Sequence, residues 1–186
     1  MYTIFEQSHG HGIGHGLESF LDRFEDIAIE HYRTGRAKAF AFIFYDFKDS
    51  DFKRIMKDQG VFANLDRLSG DELSIFYLHS GSNHSIERFN NTLLQALGVK
   101  SEANPPCVVF CKISDDGFKD VSVALLESAD IMHGFHELYV VIDAYIKGNQ
   151  REVESKYLRW IKGPLKFVSL ESIKALVRES LKGPFW

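Results

Sequence analysis

Three groups of residues in this sequence have the types and spacing for chemistry. The first is His9, His11 and His15, set in a loop with glycine at every second position from 10 to 16. Neutral imidazoles bind divalent zinc, copper and nickel, and His9-x-His11-x3-His15 could supply three ligands. No Cys, Asp or Glu shares that loop to complete the set, so a solvated glycine-rich turn explains it more simply. The second group is Asp46, Asp49 and Asp51 with Lys48 between them, which could act as acid, base or partner-binding groups. The simpler reading is a strand end, an N-cap at Asp49 or Ser50, and a first-turn acid favoured by the helix dipole. The third group is Cys107 and Cys111, which lie four residues apart in what reads as a strand. Their Cα atoms would be about 13 Å apart, beyond disulfide reach, and a lone C-x3-C lacks the further ligands of a zinc site. Buried, structural cysteines are expected.

The elements that must position these groups follow from the hydrophobic pattern. Ala39-Phe40-Ala41-Phe42-Ile43-Phe44-Tyr45-Asp46-Phe47 carries a single charge, near its end. Such a run describes a strand covered on both faces, the centre of a sheet with helices on either side. Tyr2 to Glu6 reads as a first strand, and Leu73 to Leu78, Cys107 to Ile113 and Lys119 to Leu126 as three more. Leu17, Phe20, Leu21, Phe24, Ile27, Ala28 and His31 recur at helical spacing, with Gly35 suited to the C-cap. A second helix is expected from about Asp49 or Ser50, with Gly60 bending or interrupting it. Ser85 and Glu87 open a third, whose stripe of Ile86, Phe89, Leu93, Leu94 and Leu97 stops at Gly98. Asp115-Asp116-Gly117 signals a hairpin, and a fourth helix with Ile131, Phe135, Leu138, Ile142 and Tyr145 ends at Gly148. Two more helices are expected in the last 38 residues. One carries Val153, Tyr157, Trp160 and Ile161; the other carries Leu170, Ile173, Leu176, Val177 and Leu181. Each is stopped by Lys-Gly-Pro.

The resulting order, β-α-β-α-β-α-β-β-α, argues for parallel strands with right-handed crossovers and an antiparallel hairpin at one edge. Asn104-Pro105-Pro106 stands immediately before the first hairpin strand. Order and proline together resemble the thioredoxin fold over about residues 2 to 148. The resemblance implies an α/β, three-layer thioredoxin-like fold with a central mixed sheet of about five strands and two added C-terminal helices. Residues 1–148 would form the domain, and 149–186 a helical extension packed on it. The resemblance also implies that Pro106 is cis. It implies further that the loops at 8–16, 46–51 and 79–85 emerge at one end of the sheet, so that His79 and His84 join His9, His11 and His15. His133 and His136 would share that rim.

One departure from the family pattern decides the chemistry. The redox members carry Cys-x-x-Cys after the central strand, where this chain has Phe47-Lys48-Asp49-Ser50-Asp51-Phe52. Dithiol exchange needs a thiolate of lowered pKa at that helix terminus, so a dithiol oxidoreductase is not expected. A phosphatase of the haloacid dehalogenase type would need Asp two residues after Asp46, where Lys48 stands. A Rossmann fingerprint fails because His15 occupies the third glycine position counted from Gly10 and Gly12.

Composition narrows the partner. The chain has 186 residues, 45% of them apolar and 26% charged, with a net charge of −4. That balance gives no electrostatic case for nucleic acid or an anionic membrane. No apolar run reaches the roughly 18–20 residues of a membrane span, and the N-terminus lacks signal-peptide character, so the expectation is a cytoplasmic protein. The reading that follows is a non-catalytic binding or adaptor protein with no cofactor, holding a peptide, a protein or a second copy of itself. Its partner rim would comprise Asp46, Lys48, Asp49, Ser50, Asn104, Pro105 and Pro106. The alternative is an enzyme or sensor holding a divalent transition metal or an anion at His9, His11, His15, His79 and His84.

Overall fold

The computed structural model describes residues 2–5, 26, 27, 30, 33–35, 39–46, 54, 55, 58–79, 83–114, 117–126, 131–148, 158–162, 171, 172 and 175. The described elements are β1 (Tyr2–Phe5), β2 (Ala39–Phe44), α1 (Gln59–Ser69), β3 (Leu73–His79) and α2 (Asn83–Ala96), followed by β4 (Cys107–Ser114), β5 (Gly117–Leu126), α3 (Ile131–Lys147) and β6 (Leu158–Lys162). The chain is α/β. The six described strands form one mixed sheet in the order β1-β3-β2-β4-β5-β6. β1, β3 and β2 run parallel, and β4, β5 and β6 each pair antiparallel with the strand before them in the sheet.

β2 lies inside the sheet, and every one of its residues is buried. Its two faces differ in size. Phe40, Phe42 and Phe44 line one face, where Phe76 stacks at 6.2 Å from Phe40 and 5.7 Å from Phe42, and Phe89 of α2 lies 5.7 Å from Phe44. Ala39, Ala41 and Ile43 line the other face, and Phe110 on that side stacks on Tyr145 of α3 at 4.1 Å. α2 therefore covers the phenylalanine face, while α3, with α1 against it, covers the opposite one. A chain shielded on both sides has no use for alternation, which is why 39–45 reads as an unbroken apolar run. Each buried Phe contributes about 1.5–3 kcal/mol of transfer free energy.

The helices follow the expected stripes with local differences. Asp26, Ile27, Glu30, Arg33 and Thr34 are helical, Ile27 packs on the core, and Gly35 ends the helix at φ 67. The second helical region is broken before Gly60. Arg54 and Ile55 are helical, and then Asp58 opens α1 by accepting from the backbone N–H of Gly60 at 2.7 Å and of Val61 at 3.2 Å. A carboxylate that meets two orphan N–H groups starts a helix more effectively than a glycine stops one. α2 closes through Gly98 at φ 70, whose N–H donates to Gln95 O, while Val99 N–H donates to Leu94 O. That is a Schellman ending, and it sends the chain back towards the sheet.

Two expectations need correction. The segment around Trp160 is a strand where a helix was expected: β6 pairs with β5 from Ser122↔Lys162 to Leu126↔Leu158. Val153, Tyr157, Trp160 and Ile161 fit a helical stripe, but β5 has an outer edge whose backbone groups need partners, and the ladder satisfies them. The hairpin is for the same reason not the edge of the sheet. Glu171, Ser172 and Ala175 are helical, as expected of the second C-terminal helix. Among the described residues no helix is long and apolar enough to cross a membrane.

Candidate binding site

The rim at the C-terminal end of β2 holds a cleft of about 290 Å³. Three elements converge on it. β2 is followed by Tyr45, which is buried, and Asp46, which is exposed. α2 brings Ile86, Asn90 and Leu94 along one side, spaced four residues apart on a single stripe. The return segment brings Lys100, Asn104 and Pro105 along the other side. Val99 and Ala103 are buried beneath that segment, and Ala103 N–H donates to Val99 O at 2.8 Å.

The antiparallel register explains why Asp46 and Pro105 meet. Phe44 pairs with Cys107, so the chain two residues beyond each faces its counterpart across the open end of the ladder. The Pro105–Pro106 peptide bond is cis, and Pro106 O accepts from Leu126 N–H at 3.0 Å. The start of β4 is thus fastened to the end of β5. α2 is fastened to the end of β2 in turn, because the buried Asn90 donates from Nδ2 to Tyr45 O at 2.9 Å. That bond satisfies a carbonyl leaving the ladder, and such a carbonyl is costly to bury alone.

The cleft mixes an apolar floor of Ile86, Leu94 and Ala103 with carboxamides from Asn90, Asn91 and Asn104. Amides both donate and accept, as a peptide backbone does. Carboxylates of Asp46 and Glu87 and the ammonium of Lys100 also reach it. No Ser, Thr, Cys or His is among the described lining residues. Cys107 follows Pro106 directly, but it is fully buried, and burial pushes its thiol up to about 12. Cys111 is buried and shifted in the same direction by the same cause. Both cysteines are free.

Of the expected partner residues, the structure brings together Asp46, Asn104 and Pro105, with Pro106 half-buried beside them. Lys48, Asp49 and Ser50 lie outside the described residues, as do His9, His11 and His15. His79 is the last residue of β3 and pairs in register with Phe5. His84 is exposed in the first turn of α2, and His136 is exposed on α3. Among the described residues no group of three or more His, Cys, Asp and Glu could hold a metal ion. Asn90, Leu94 and Lys100 were not anticipated. Asn90 had a readable signal, a polar residue on the buried stripe four positions from Ile86 and from Leu94; Lys100 had none, since only the Schellman turn brings it back. No known family model and no curated protein sequence matches this chain.

Proposed function

We propose that this chain is a non-catalytic, thioredoxin-like binding or adaptor protein that holds an extended peptide or protein segment at the rim near Pro106 and the 46–51 loop. The observation that carries the reading is the cleft joining Asp46, Asn104 and Pro105, with amides on both sides of an apolar floor. Amide groups offer paired donors and acceptors to a partner's main chain, and apolar floors take alternate side chains. The succession of three parallel strands and an antiparallel hairpin, in the order β1-β3-β2-β4-β5, supports the resemblance. The protonated, buried thiols support a role without redox chemistry.

The test is selection from a random displayed peptide library, followed by calorimetry of the selected sequences on the free protein. Asn104 is exposed at the mouth of the cleft, so Asn104→Trp fills the opening without disturbing the core. The expected result is binding that weakens by at least about tenfold, or about 1.4 kcal/mol, with Tm unchanged. Failure to enrich any peptide, or full binding by Asn104→Trp, would sink the proposal.

A further inference from the structure

A second cleft opens at the other end of the sheet, beside Ala39 at the start of β2. It measures about 440 Å³ and is walled by Glu72, Lys112, Asp120, Ser122 and Tyr145. Here β4 and β5 fall out of step. Phe110 pairs with Ser122, but Lys112 pairs with Lys119, so β5 carries one extra residue. Within that bulge Asp120 takes φ 54, and it is the one non-glycine residue with positive φ among the described residues. Bulges of this kind place glycine at the left-handed position, where a Cβ costs least when absent.

Stability does not account for an acid at that position. The Asp120 carboxylate lies 3.3 Å from Lys112 Nζ, but both side chains are half exposed, and exposed pairs contribute little. Side chains held in the left-handed region, and bulges that re-aim them, gather at binding sites. The surroundings fit a small ligand. Tyr145 stacks on Phe110 with ring planes 13° apart. Burial, with smaller effects from Cys111 and Asp120, raises its phenol above the ordinary range, so it remains a hydrogen-bond donor. Ser122 adds a hydroxyl and Ile146 an apolar surface. The volume lies within the roughly 300–1,000 Å³ of small-molecule sites.

We propose that this cleft binds a zwitterionic α-amino acid, its ammonium on Asp120 and its carboxylate on Lys112. A contact ion pair presents its two charges side by side, and an α-amino acid carries two charges on one carbon. The two pairs dock with signs reversed, so that each charge meets its opposite. A ligand with one charge alone leaves either Lys112 or Asp120 facing nothing new.

Calorimetry of the 186-residue chain with glycine, L-leucine and L-phenylalanine tests the proposal, with isocaproate and isoamylamine as leucine analogues lacking one charge each. At least one amino acid binds, and each single-charge analogue binds about tenfold more weakly or worse. Asp120→Gly loses that binding by at least about tenfold while its Tm stays equal or rises, because glycine suits the bulge. Asp120→Asn keeps a residue type tolerated at that φ and removes only the charge, so it loses binding even if the glycine variant folds poorly. Absence of binding by all three amino acids overturns the proposal. So does equal binding by a single-charge analogue, or unchanged affinity in Asp120→Asn.

Discussion

Cys107 and Cys111 sit two pleats apart on one face of β4, in register with Phe44 and Phe40, and neither is exposed to solvent. In the unfolded chain each thiol ionises near its ordinary value of 9.0, whereas in the folded chain burial holds Cys107 up to about 12 and raises Cys111 also. The unfolded state therefore releases protons that the native state retains. Stability is full below pH 9 and falls as pH rises from there towards the folded values. At pH 10 each thiol costs roughly 1–2 kcal/mol, and the two together roughly 3 kcal/mol. This figure depends only on the unfolded pKa, because both folded values lie well above pH 10. Tyr145 shifts in the same direction from 10.0, chiefly through burial that wild type and variant share.

The assay is urea unfolding of the wild type and of the Cys107→Ala/Cys111→Ala variant at about pH 7, 8, 9 and 10. The variant starts less stable, because each substitution removes a buried sulfur and leaves space behind. That offset is independent of pH. Between about pH 8 and 10 the wild type should lose roughly 3 kcal/mol more than the variant. Parallel curves would refute the reasoning. They would mean that the thiols ionise in the native state, and Cys107 beside Pro106 would become a candidate nucleophile.

Two further outcomes follow from single hydrogen-bonding side chains. Asn90→Leu fills the same space but strips the donor from Tyr45 O, and is expected to cost about 1–3 kcal/mol in urea unfolding. Asp58→Ala removes the acceptor for two backbone N–H groups at the start of α1. It should cost about 1 kcal/mol and lower helical ellipticity on heating before the main transition.

The legible parts of the fold were those in which local pattern and burial agree. The run at 39–45 could only be a doubly covered strand, and the stripe from Ile86 to Leu97 could only be an amphipathic helix ended by Gly98. The hairpin followed from two strand runs joined by a short acidic turn, and Ser114 indeed pairs with Gly117. β6 was illegible because five residues fit both periods, and the open edge of β5 is a tertiary fact. The break at Asp58 was misplaced because glycine is an obvious breaker, whereas a mid-sequence Asp reads as ordinary surface. The rim cleft was half readable: Asp46, Asn104 and Pro105 follow from strand ends and connection order, but Asn90 and Lys100 depend on the turn of α2. The cleft at Asp120 was not readable at all, since a single inserted residue sets which side chains meet there.

β6 changes what counts as a separable unit of this chain. Gly148 closes α3 and marks an apparent boundary, and a polypeptide cut there would keep both helical layers and five of the six strands. It would also uncover the outer side of β5 from Ser122 to Leu126, where five consecutive positions now pair with β6. A bare edge of that length is a template for the next molecule's strand. The fragment is expected to polymerise or swap strands through that edge, and dissection of this protein should run past Lys162.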